Sequence, residues 1–419
     1  MSIASEITRI KGNIVNAYTK ISDKGGTLPA TQNSANLATA IDSIPQGGAD
    51  EPVEEKDVNF YDYDGRRVSS YTKSEFANLS ALPSNPSHSG LTAQGWNWSL
   101  SDAKTYVAQY GKLNIGQMYV TNDGKTRIYI HLEEGRLEPY LGFAVNGSVT
   151  VDWGDGNTQT VSGTSTSTII YTQHIYSSVG DYVIKLSSSS KIYLLGNVYK
   201  CGIITKNSSV IAENAVYGSA LIKIEIGSNV AIGGQAFTSC YSLSSITIPN
   251  NITSLGIYAF NGCCSLSNII LPSSLTSLES NLFNGCYSLK NISIPNSITN
   301  IKGSCFYNCY SLRKIDLPIN IKTIDTYTFY NCYSLSNLSI SNKVTSITAN
   351  AFNSCRGIKY YDFSTHTSVP SLANTSAFSN IPSDCKIIVP DNLYDTWIAA
   401  TNWSTYASYI IKKTDWEAL

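Results

Sequence analysis

The sequence has few charged residues: they make up 14% of its 419 residues, and the formal net charge is −1 at pH 7. Lysine and arginine form no run anywhere in the chain. Because binding to phosphates needs a concentrated positive field, this composition argues against nucleic acid as a partner. The polar share consists instead of Ser, Asn and Thr, together with 28 tyrosines. Such a composition is typical of β-rich proteins that bind through hydroxyls, amides and aromatic rings.

Long hydrophobic runs are also missing. No stretch reaches the roughly 18 apolar residues that a transmembrane helix needs. Residues 1–13 contain no apolar segment of the length that a signal peptide requires. We therefore expect no membrane insertion, and we expect a chain made in a cytoplasm and not exported by the general route.

Catalytic and metal-binding motifs are lacking as well. The sequence contains no GxSxG, HExxH or P-loop motif, no CxxC pair, and only four histidines, which lie far apart. Glu133, Glu134 and Glu138 form the one acidic cluster near aromatic residues. Paired carboxylates can hydrolyse a glycoside, so a glycan-active enzyme is kept as a remote alternative. We predict no catalytic residue, no metal site and no cofactor, and hence a protein that is not an enzyme.

The dominant positive feature is an internal repeat. Phenylalanine and cysteine each recur every 23 residues without a slip. The two series are Phe237, Phe260, Phe283, Phe306, Phe329 and Phe352, and Cys240, Cys263, Cys286, Cys309, Cys332 and Cys355. A fixed period of about 20 to 29 residues with an L-x-x-I-x-I core is the pattern of leucine-rich repeats. A degenerate copy precedes the series at residues 220–235, and a later copy ends in Phe378 after a three-residue insertion.

Each repeat unit predicts one coil of a solenoid. Ile246 and Ile248 alternate with polar residues, as in a strand with one buried face. Pro249 ends the strand because it has no N–H for the ladder. Ile252 and Leu255 then face inward on the next side of the coil. One unit cannot bury this surface alone, so neighbouring units must stack.

The units resemble the BspA-type leucine-rich repeats of bacterial surface proteins, whose pattern is roughly A-F-x-x-C-x-x-L-x-x-I-x-I-P. The resemblance implies a solenoid over residues 191–385 and a C-terminal cap over residues 386–419. In that cap, residues 388–391 are expected to form a last strand, and residues 399–407 a closing helix.

The repeated cysteines predict a buried ladder. Adjacent coils lie about 4.8 Å apart, which is within reach of a disulfide. Identical inward positions, however, give no reason to pair with one neighbour over the other, and a free cysteine packs as a small apolar residue. Disulfides and metal binding are the minor alternatives. Four cysteines stand outside the register: Cys201, Cys264, Cys305 and Cys385.

Residues 1–46 predict short helices that attach or oligomerise. Isoleucines spaced three and four residues apart form a heptad seam at Ile3, Ile7, Ile10, Ile14 and Ile21. Isoleucine at both core positions favours trimers or larger bundles over dimers, so we expect a coiled-coil oligomer such as a homotrimer. The alternative is one helix that folds back on a second helix at residues 33–44. Residues 47–56 then form a linker.

This N-terminal segment is similar to the N-terminal module of tail proteins from phages of gut Firmicutes. The resemblance implies attachment to other tail proteins. It also implies a virion location, with assembly in the host cytoplasm.

Residues 57–136 resemble an internalin-type B repeat, a small β-rich module. The matching segments are FYDYDG at residues 60–65 and GWNW at residues 95–98. A helix at residues 101–110 is appended. A hairpin is predicted at residues 118–131, with its turn at Asn122, Asp123 and Gly124.

Residues 141–186 resemble PKD-type, immunoglobulin-like domains, which implies a β-sandwich domain over residues 137–190. The matching segments are VDWGDG at residues 151–156, HIY at 174–176 and GDY at 180–182. The resemblance implies that WGDG is a structural turn with Trp153 packed inside. Calcium binding by Asp152 and Asp155 is the minor alternative, because too few oxygen ligands stand nearby.

Two sets of outward-facing residues on the solenoid are candidates for ligand binding. The first set flanks the inward strand residues: Asn268, Asn291, Lys314, Asp316, Asn337, Tyr360 and Asp362. The second set follows the repeated cysteines: Tyr241, Tyr287, Tyr310 and Tyr333. Tyrosines and amides offer rigid contact area to a carbohydrate or a protein. The alternative is that both sets are solvent-facing residues which the repeat copies without use.

The predicted fold class is mainly β and multidomain, with short N-terminal helices, two small β-rich domains, a solenoid and a cap. The predicted function is non-enzymatic binding by a phage tail-associated receptor-binding protein. Its partner is a bacterial surface glycan or protein. The alternative is a BspA-like adhesin on a bacterial cell surface. A shared fold does not settle function by itself.

Overall fold

The computed structural model describes residues 55–62, 66–132, 137–201 and 221–419. The predicted helices of residues 1–46, with their heptad seam and trimer, lie outside the described residues. Glu133 and Glu134 lie outside them too. Within the described part, no helix has both the length and the apolar character to cross a membrane.

The first block, residues 55–121, is called the module below. Its strands are β1 (Val58–Tyr61), β2 (Arg67–Tyr71), β3 (Leu91–Trp96) and β4 (Leu113–Thr121), in the sheet order β2-β1-β4-β3. Its helices are α1 (Lys73–Ala77) and α2 (Leu100–Tyr110). Ser99 caps α2 by accepting a hydrogen bond from the Asp102 backbone N–H, and Gly111 ends the helix at a φ of 80°. The predicted helix at residues 101–110 is confirmed.

A second block, residues 126–201, is made of longer antiparallel strands. These are β5 (Thr126–Leu132), β6 (Pro139–Asp152), β7 (Thr158–Gln173), β8 (Gly180–Ser187) and β9 (Ile192–Cys201). Trp153 is buried, its ring stacks on His174 at 5.1 Å, and its carbonyl accepts a 2.6 Å hydrogen bond from the Tyr176 hydroxyl. The expectation that WGDG is a structural turn with its tryptophan inside is confirmed.

The predicted hairpin at residues 118–131 is wrong. The turn forms, with Gly124 at a φ of 71°, but the strands on its two sides do not pair with each other. β4 lies between β1 and β3, whereas β5 pairs with β8 and with the first solenoid strand. Turn residues specify a chain reversal but not the partners of the flanking strands, and both edges of β4 are already occupied inside the module.

The solenoid has two rows of strands. The longer row is β10 (Leu221–Glu225), β12 (Ser245–Thr247), β13 (Asn268–Ile270), β15 (Asn291–Ser293), β17 (Lys314–Ile315), β19 (Asn337–Ser339), β21 (Tyr360–Asp362) and β23 (Lys386–Val389). The shorter row is β11 (Val230–Ile232), β14 (Ser277–Leu278), β16 (Asn300–Ile301), β18 (Thr323–Ile324), β20 (Ser346–Ile347) and β22 (Ser371–Leu372). Paired strands run parallel, in the register that the 23-residue period requires: Asn268 faces Asn291, and Asn291 faces Lys314.

Stacked side chains fill the interior between these rows. The repeated phenylalanine rings stack along the axis, with centroids 5.1 to 5.6 Å apart from Phe237 to Phe378. The repeated cysteines are buried and free, which confirms the core ladder. Each thiol from Cys263 to Cys355 donates to the carbonyl of the phenylalanine 26 residues earlier, at 3.2 to 3.4 Å. Burial raises the pKa of Cys240 and of Cys355 to about 12, so these thiols stay protonated.

Both ends of the solenoid are covered. At the first coil, β10 pairs antiparallel with β5, and β11 pairs parallel with β9. At the last coil, β23 is followed by α3 (Tyr394–Ala399), a 3₁₀ helix (Trp403–Tyr409), β24 (Ile410–Lys412) and α4 (Lys413–Glu417). The predicted last strand forms over Lys386–Val389, but the single closing helix predicted at residues 399–407 is wrong, because α3 ends at Ala399 and a separate 3₁₀ helix begins at Trp403. β24 is an element that the sequence pattern does not predict. Trp397 and Trp403 close the core, and Trp403 Nε1 donates to the Pro370 carbonyl at 2.7 Å.

Candidate binding surfaces

The strand face is the outward side of the longer row of strands, and the module packs directly on part of it. β4 lies across β12, β13 and β15. The approach is so close that a Cβ on Gly116 would lie 2.6 Å from Cγ2 of Ile270. Only a residue without a side chain fits at this point of β4.

A buried hydrogen-bond network joins the module to this face. The Asn97 side chain is 1% exposed, and its Nδ2 donates to the Leu271 carbonyl at 3.2 Å and to Ser293 Oγ at 3.0 Å. Asn97 Oδ1 accepts from the Gly116 backbone N–H at 2.8 Å. Ser293 Oγ in turn donates to the Asn114 carbonyl at 2.6 Å. Asn97, Gly116, Ser293 and the Leu271 carbonyl are thus matched with partners across the interface.

The predicted strand-face residues therefore lie in different environments. Asn268 and Asn291 are half-buried on the strands that the module covers. Lys314 forms an ion pair with Glu55, and Asp316 accepts from the Asn114 backbone N–H at 2.9 Å. The remaining three predicted residues, Asn337, Tyr360 and Asp362, line a cleft where the module and the solenoid meet.

The tyrosine ladder is defined as Tyr287, Tyr310 and Tyr333. Neighbouring rings stack at 4.9 Å, with planes only 2° and 3° from parallel. The guanidinium of Arg356 lies 5.2 Å from the centroid of the Tyr333 ring and covers its outer face. Tyr241 has the same register and is 42% exposed, but Cys264 occupies the coil between it and the ladder.

The backbone before each ladder position makes a left-handed corner. Gly285, Asn308 and Asn331 precede the cysteines with φ of 73°, 60° and 60°. Glycine and asparagine adopt this conformation at low cost. Asn331 Nδ2 donates to Asn308 Oδ1 at 2.8 Å, so the corners are also tied to each other. The corner buries the cysteine and leaves the next residue, a tyrosine, outside.

A second tyrosine cluster was not predicted from the sequence. Tyr307 and Tyr330 stack at 4.9 Å and 6°, and Tyr327 meets both rings edge-on. The sequence does carry a signal for this cluster, because Tyr307 and Tyr330 each follow a repeated phenylalanine and are themselves 23 residues apart. Burial, followed by neighbouring tyrosines, raises the pKa of Tyr307 and of Tyr310. Their hydroxyls therefore remain protonated donors at neutral pH.

The ladder exposes ring edges and hydroxyls. Tyr287 and Tyr333 are 42% and 36% exposed, yet their parallel stacking uses the ring faces for contacts with one another. The accessible surface is a rigid row of phenol edges. An aromatic ring carries partial positive charge at its edge and negative charge at its face.

The carboxylates of Asp152 and Asp155 make hydrogen bonds that stabilise the WGDG turn. Asp152 Oδ1 accepts from the Gly154 N–H at 3.0 Å, and Asp155 Oδ2 contacts His174 Nε2 at 2.7 Å. In the part of the chain that the structure describes, no group of three or more His, Cys, Asp or Glu side chains is arranged to hold a metal ion.

The stacked parallel coils with their phenylalanine and cysteine ladders define a leucine-rich-repeat solenoid protein. Residues 197–287 and 255–386 match the family described as BspA type Leucine rich repeat region, in six copies. This part of the chain is a BspA-type leucine-rich repeat region, as its pattern predicts.

Solved structures with the same kind of repeat are similar to parts of the chain. A leucine-rich repeat protein of T. pallidum is 28% identical over 34% of this chain and 64% of its own, with a TM-score of 0.27. A leucine-rich repeat protein from Eubacterium ventriosum is 26% identical over 37% of this chain and 42% of its own, with a TM-score of 0.34. A leucine rich cell surface protein of Faecalibacterium prausnitzii is 20% identical over 44% of this chain and 62% of its own, with a TM-score of 0.30.

This chain spans less than two thirds of the length of each of these three structures. No curated protein matches it.

Proposed function

We propose that this protein is a non-enzymatic binding protein that contacts a protein on a bacterial surface through the tyrosine ladder. The observation that carries the proposal is the row of parallel rings at Tyr287, Tyr310 and Tyr333, of which Tyr287 and Tyr333 are exposed and Tyr310 is half-buried. Tyrosine is enriched at the energetic centres of protein interfaces. Each ring is held by its neighbours, so little side-chain freedom is lost when a partner binds.

The orientation of the rings favours a protein over a glycan. Sugar C–H groups carry partial positive charge and pack on the negative face of an aromatic ring. In the ladder these faces are occupied by the next ring or by Arg356. The exposed edges and phenol hydroxyls instead attract carbonyl and carboxylate oxygens, which a polypeptide surface supplies.

The setting that we favour is a phage tail, where the protein recognises the bacterial host. The support is the resemblance of residues 1–46 to N-terminal modules of tail proteins, in a segment outside the described residues. The alternative is a BspA-like adhesin on a bacterial cell surface. In the tail setting, trimerisation through residues 1–46 would multiply weak contacts by avidity. Light scattering on the full-length chain and on a chain starting at Glu54 separates the two settings. A full-length trimer that becomes a monomer after truncation supports the tail setting. A monomer in both proteins contradicts it.

The binding proposal is tested on intact cells of a panel of gut Firmicutes with fluorescently labelled full-length protein. We expect the triple substitution Tyr287→Ser, Tyr310→Ser and Tyr333→Ser to weaken binding by at least about tenfold, because interface tyrosines often contribute more than about 1 kcal/mol each. Tyr241→Ser, in the same register but outside the ladder, is the matched control and should leave binding unchanged.

Treatment of the cells identifies the kind of partner. We expect binding to be lost after protease treatment and retained after periodate oxidation of surface sugars. The reverse pattern would make the partner a glycan and contradict the argument from ring orientation. Full binding by the triple variant would remove the ladder from the proposal altogether.

A further inference from the structure

A cleft of about 280 Å³ lies between the module and the uncovered part of the strand face. Its solenoid wall includes Asp316, Asn337, Ser339 and Tyr360, and its module wall includes Tyr106 and Asn59. The cleft is separate from the tyrosine ladder, none of whose residues line it. Ligand pockets typically measure about 300 to 1,000 Å³, so this volume suits one small molecule or one unit of a polymer.

The charges around the cleft are balanced. Four carboxylates and four lysines line it. Several of them already have partners: Lys314 pairs with Glu55, and Lys73 Nζ donates to the Ala108 carbonyl at 2.9 Å. A ligand with a strong net charge would meet no excess of the opposite charge, and burying its charge would be costly. The cleft therefore suits a neutral ligand.

Asp316 gives the cleft a strong hydrogen-bond acceptor. Its Oδ2 accepts from the Asn114 N–H at 2.9 Å, whereas a carboxylate has room for about four such bonds. Burial raises the pKa of Asp316 to about 6, so at neutral pH the group is mostly ionised in a place where water is scarce. Hydroxyl donors from a ligand would stabilise that ionised form.

The other walls supply groups of matching chemistry. Asn337 and Ser339 are half-buried at alternate positions of β19, and Tyr360 lies opposite Asn337 on the neighbouring strand. The Tyr360 ring packs on Trp416 at 5.2 Å, which restricts its movement. An amide, a hydroxyl, a carboxylate and an aromatic ring around one small volume can bind several hydroxyls and an apolar ring surface at once.

We propose that this cleft binds a neutral saccharide unit, with Asp316 and Asn337 hydrogen-bonding its hydroxyls and Tyr360 contacting its ring. The same chemistry serves a free sugar and the terminal unit of a glycan. The site is independent of the protein partner proposed for the tyrosine ladder. Either binding activity can therefore fail without the other.

The proposal is tested by calorimetric titration of the full-length protein with glucose, galactose and N-acetylglucosamine, and with their methyl glycosides. We expect at least one of these probes to bind. Asn337→Ala and Asp316→Asn should each weaken it by about tenfold, because each removes or neutralises a hydrogen-bonding group at the ligand. Binding of the methyl glycoside identifies a glycan end as the source, and binding of the reducing sugar alone identifies a free sugar.

Two controls keep the result interpretable. Asn291 has the same position in its coil as Asn337 but lies two coils earlier, outside the cleft. The variant Asn291→Ala should therefore bind the sugar normally. The triple tyrosine variant should also bind it normally. The proposal is overturned if none of the neutral probes binds. It is equally overturned if the sugar binds but Asn337→Ala and Asp316→Asn bind it as tightly as Asn291→Ala.

Discussion

The strand face and the tyrosine ladder are two strips of the same solenoid, and their environments are opposite. On one coil, Ser293 is 6% exposed beneath the module, whereas Tyr287, six residues earlier, is 42% exposed. Both positions recur with the same 23-residue step, and both side chains point away from the core. A repeat therefore fixes the direction of a side chain, while another part of the chain decides whether that side chain meets water.

The two strips also differ in what they contribute to the molecule. The covered part of the strand face uses matched hydrogen bonds, through Asn97 and Ser293, to hold a second folded block. The ladder leaves the edges of three stacked rings accessible to solvent, most of all at Tyr287 and Tyr333. We therefore expect substitutions on the covered strip to change stability, and substitutions on the ladder to change binding.

The largest expected effect is that of Asn97→Ala. The change removes the acceptor of the buried Gly116 N–H, and it removes the amide that donates to the Leu271 carbonyl and to Ser293 Oγ. Buried unsatisfied groups cost about 1 to 3 kcal/mol each, so we expect the free energy of unfolding in urea to fall by about 3 kcal/mol. Asn300→Ala, on the exposed side of β16, is the control and should change it by less than about 0.5 kcal/mol. Equal effects of the two variants would mean that the module is not anchored at Asn97.

Gly116→Ala should have the next largest effect. The new methyl group would overlap Ile270, and overpacking of this kind costs about 1 to 3 kcal/mol. The double variant Gly116→Ala with Ile270→Ala makes room for the methyl group. Urea unfolding should therefore show the double variant less destabilised than the sum of the two single variants, by about 1 kcal/mol. Strict additivity would contradict the close approach of β4 to β13.

The solenoid itself could be predicted from the sequence because its information is local and repeated. The phenylalanine series sets the core, and the prolines at 249, 272, 295 and 318, together with the residues at the corners, set the shape of the coils. The ladder positions follow from the same register, since Tyr287, Tyr310 and Tyr333 each follow a buried cysteine. Stacking of the rings is then a geometric consequence of coils that lie one above another.

The covered face could not be predicted in this way. The contacts of Asn97 with Ser293 and of Asn114 with Asp316 join residues about two hundred positions apart, and no periodicity links them. The pairing of β5 with β10 also joins distant residues, so the turn at Asn122–Gly124 predicts a hairpin that does not form. The cleft depends on the same docking, so only its solenoid residues were among the predicted sites.

Asp316→Asn should stabilise the protein. Burial raises the pKa of Asp316 from 3.8 to about 6, so the folded state holds its proton more tightly than the unfolded state does. The unfolding free energy therefore falls as the pH rises from about 4 to 6, and the ionised group costs stability at pH 7. Allowing for its partial exposure, we expect the variant to gain on the order of 1 kcal/mol at pH 7.

The gain should disappear below about pH 3, where Asp316 is protonated in both states. Thermal or urea unfolding of the two proteins across this range measures the difference directly. A gain that is the same at every pH would contradict the buried carboxylate as its source. If Asp316→Asn makes the protein more stable but weakens sugar binding, the role of Asp316 in binding would explain why a destabilising carboxylate is kept at this position.

The smallest expected effect is that of Tyr310→Ala, in the middle of the ladder. The ring is half-buried and stacks on two neighbours, and exposed aromatic pairs of this kind contribute roughly 0.5 kcal/mol or more. We expect a loss of less than about 1 kcal/mol in urea unfolding, and less still for Tyr310→Phe, which keeps the ring. A loss as large as that of Asn97→Ala would show that the ladder stabilises the solenoid as the strand face does. The contrast between the two strips would then vanish, and with it the main argument that the ladder is kept for a partner.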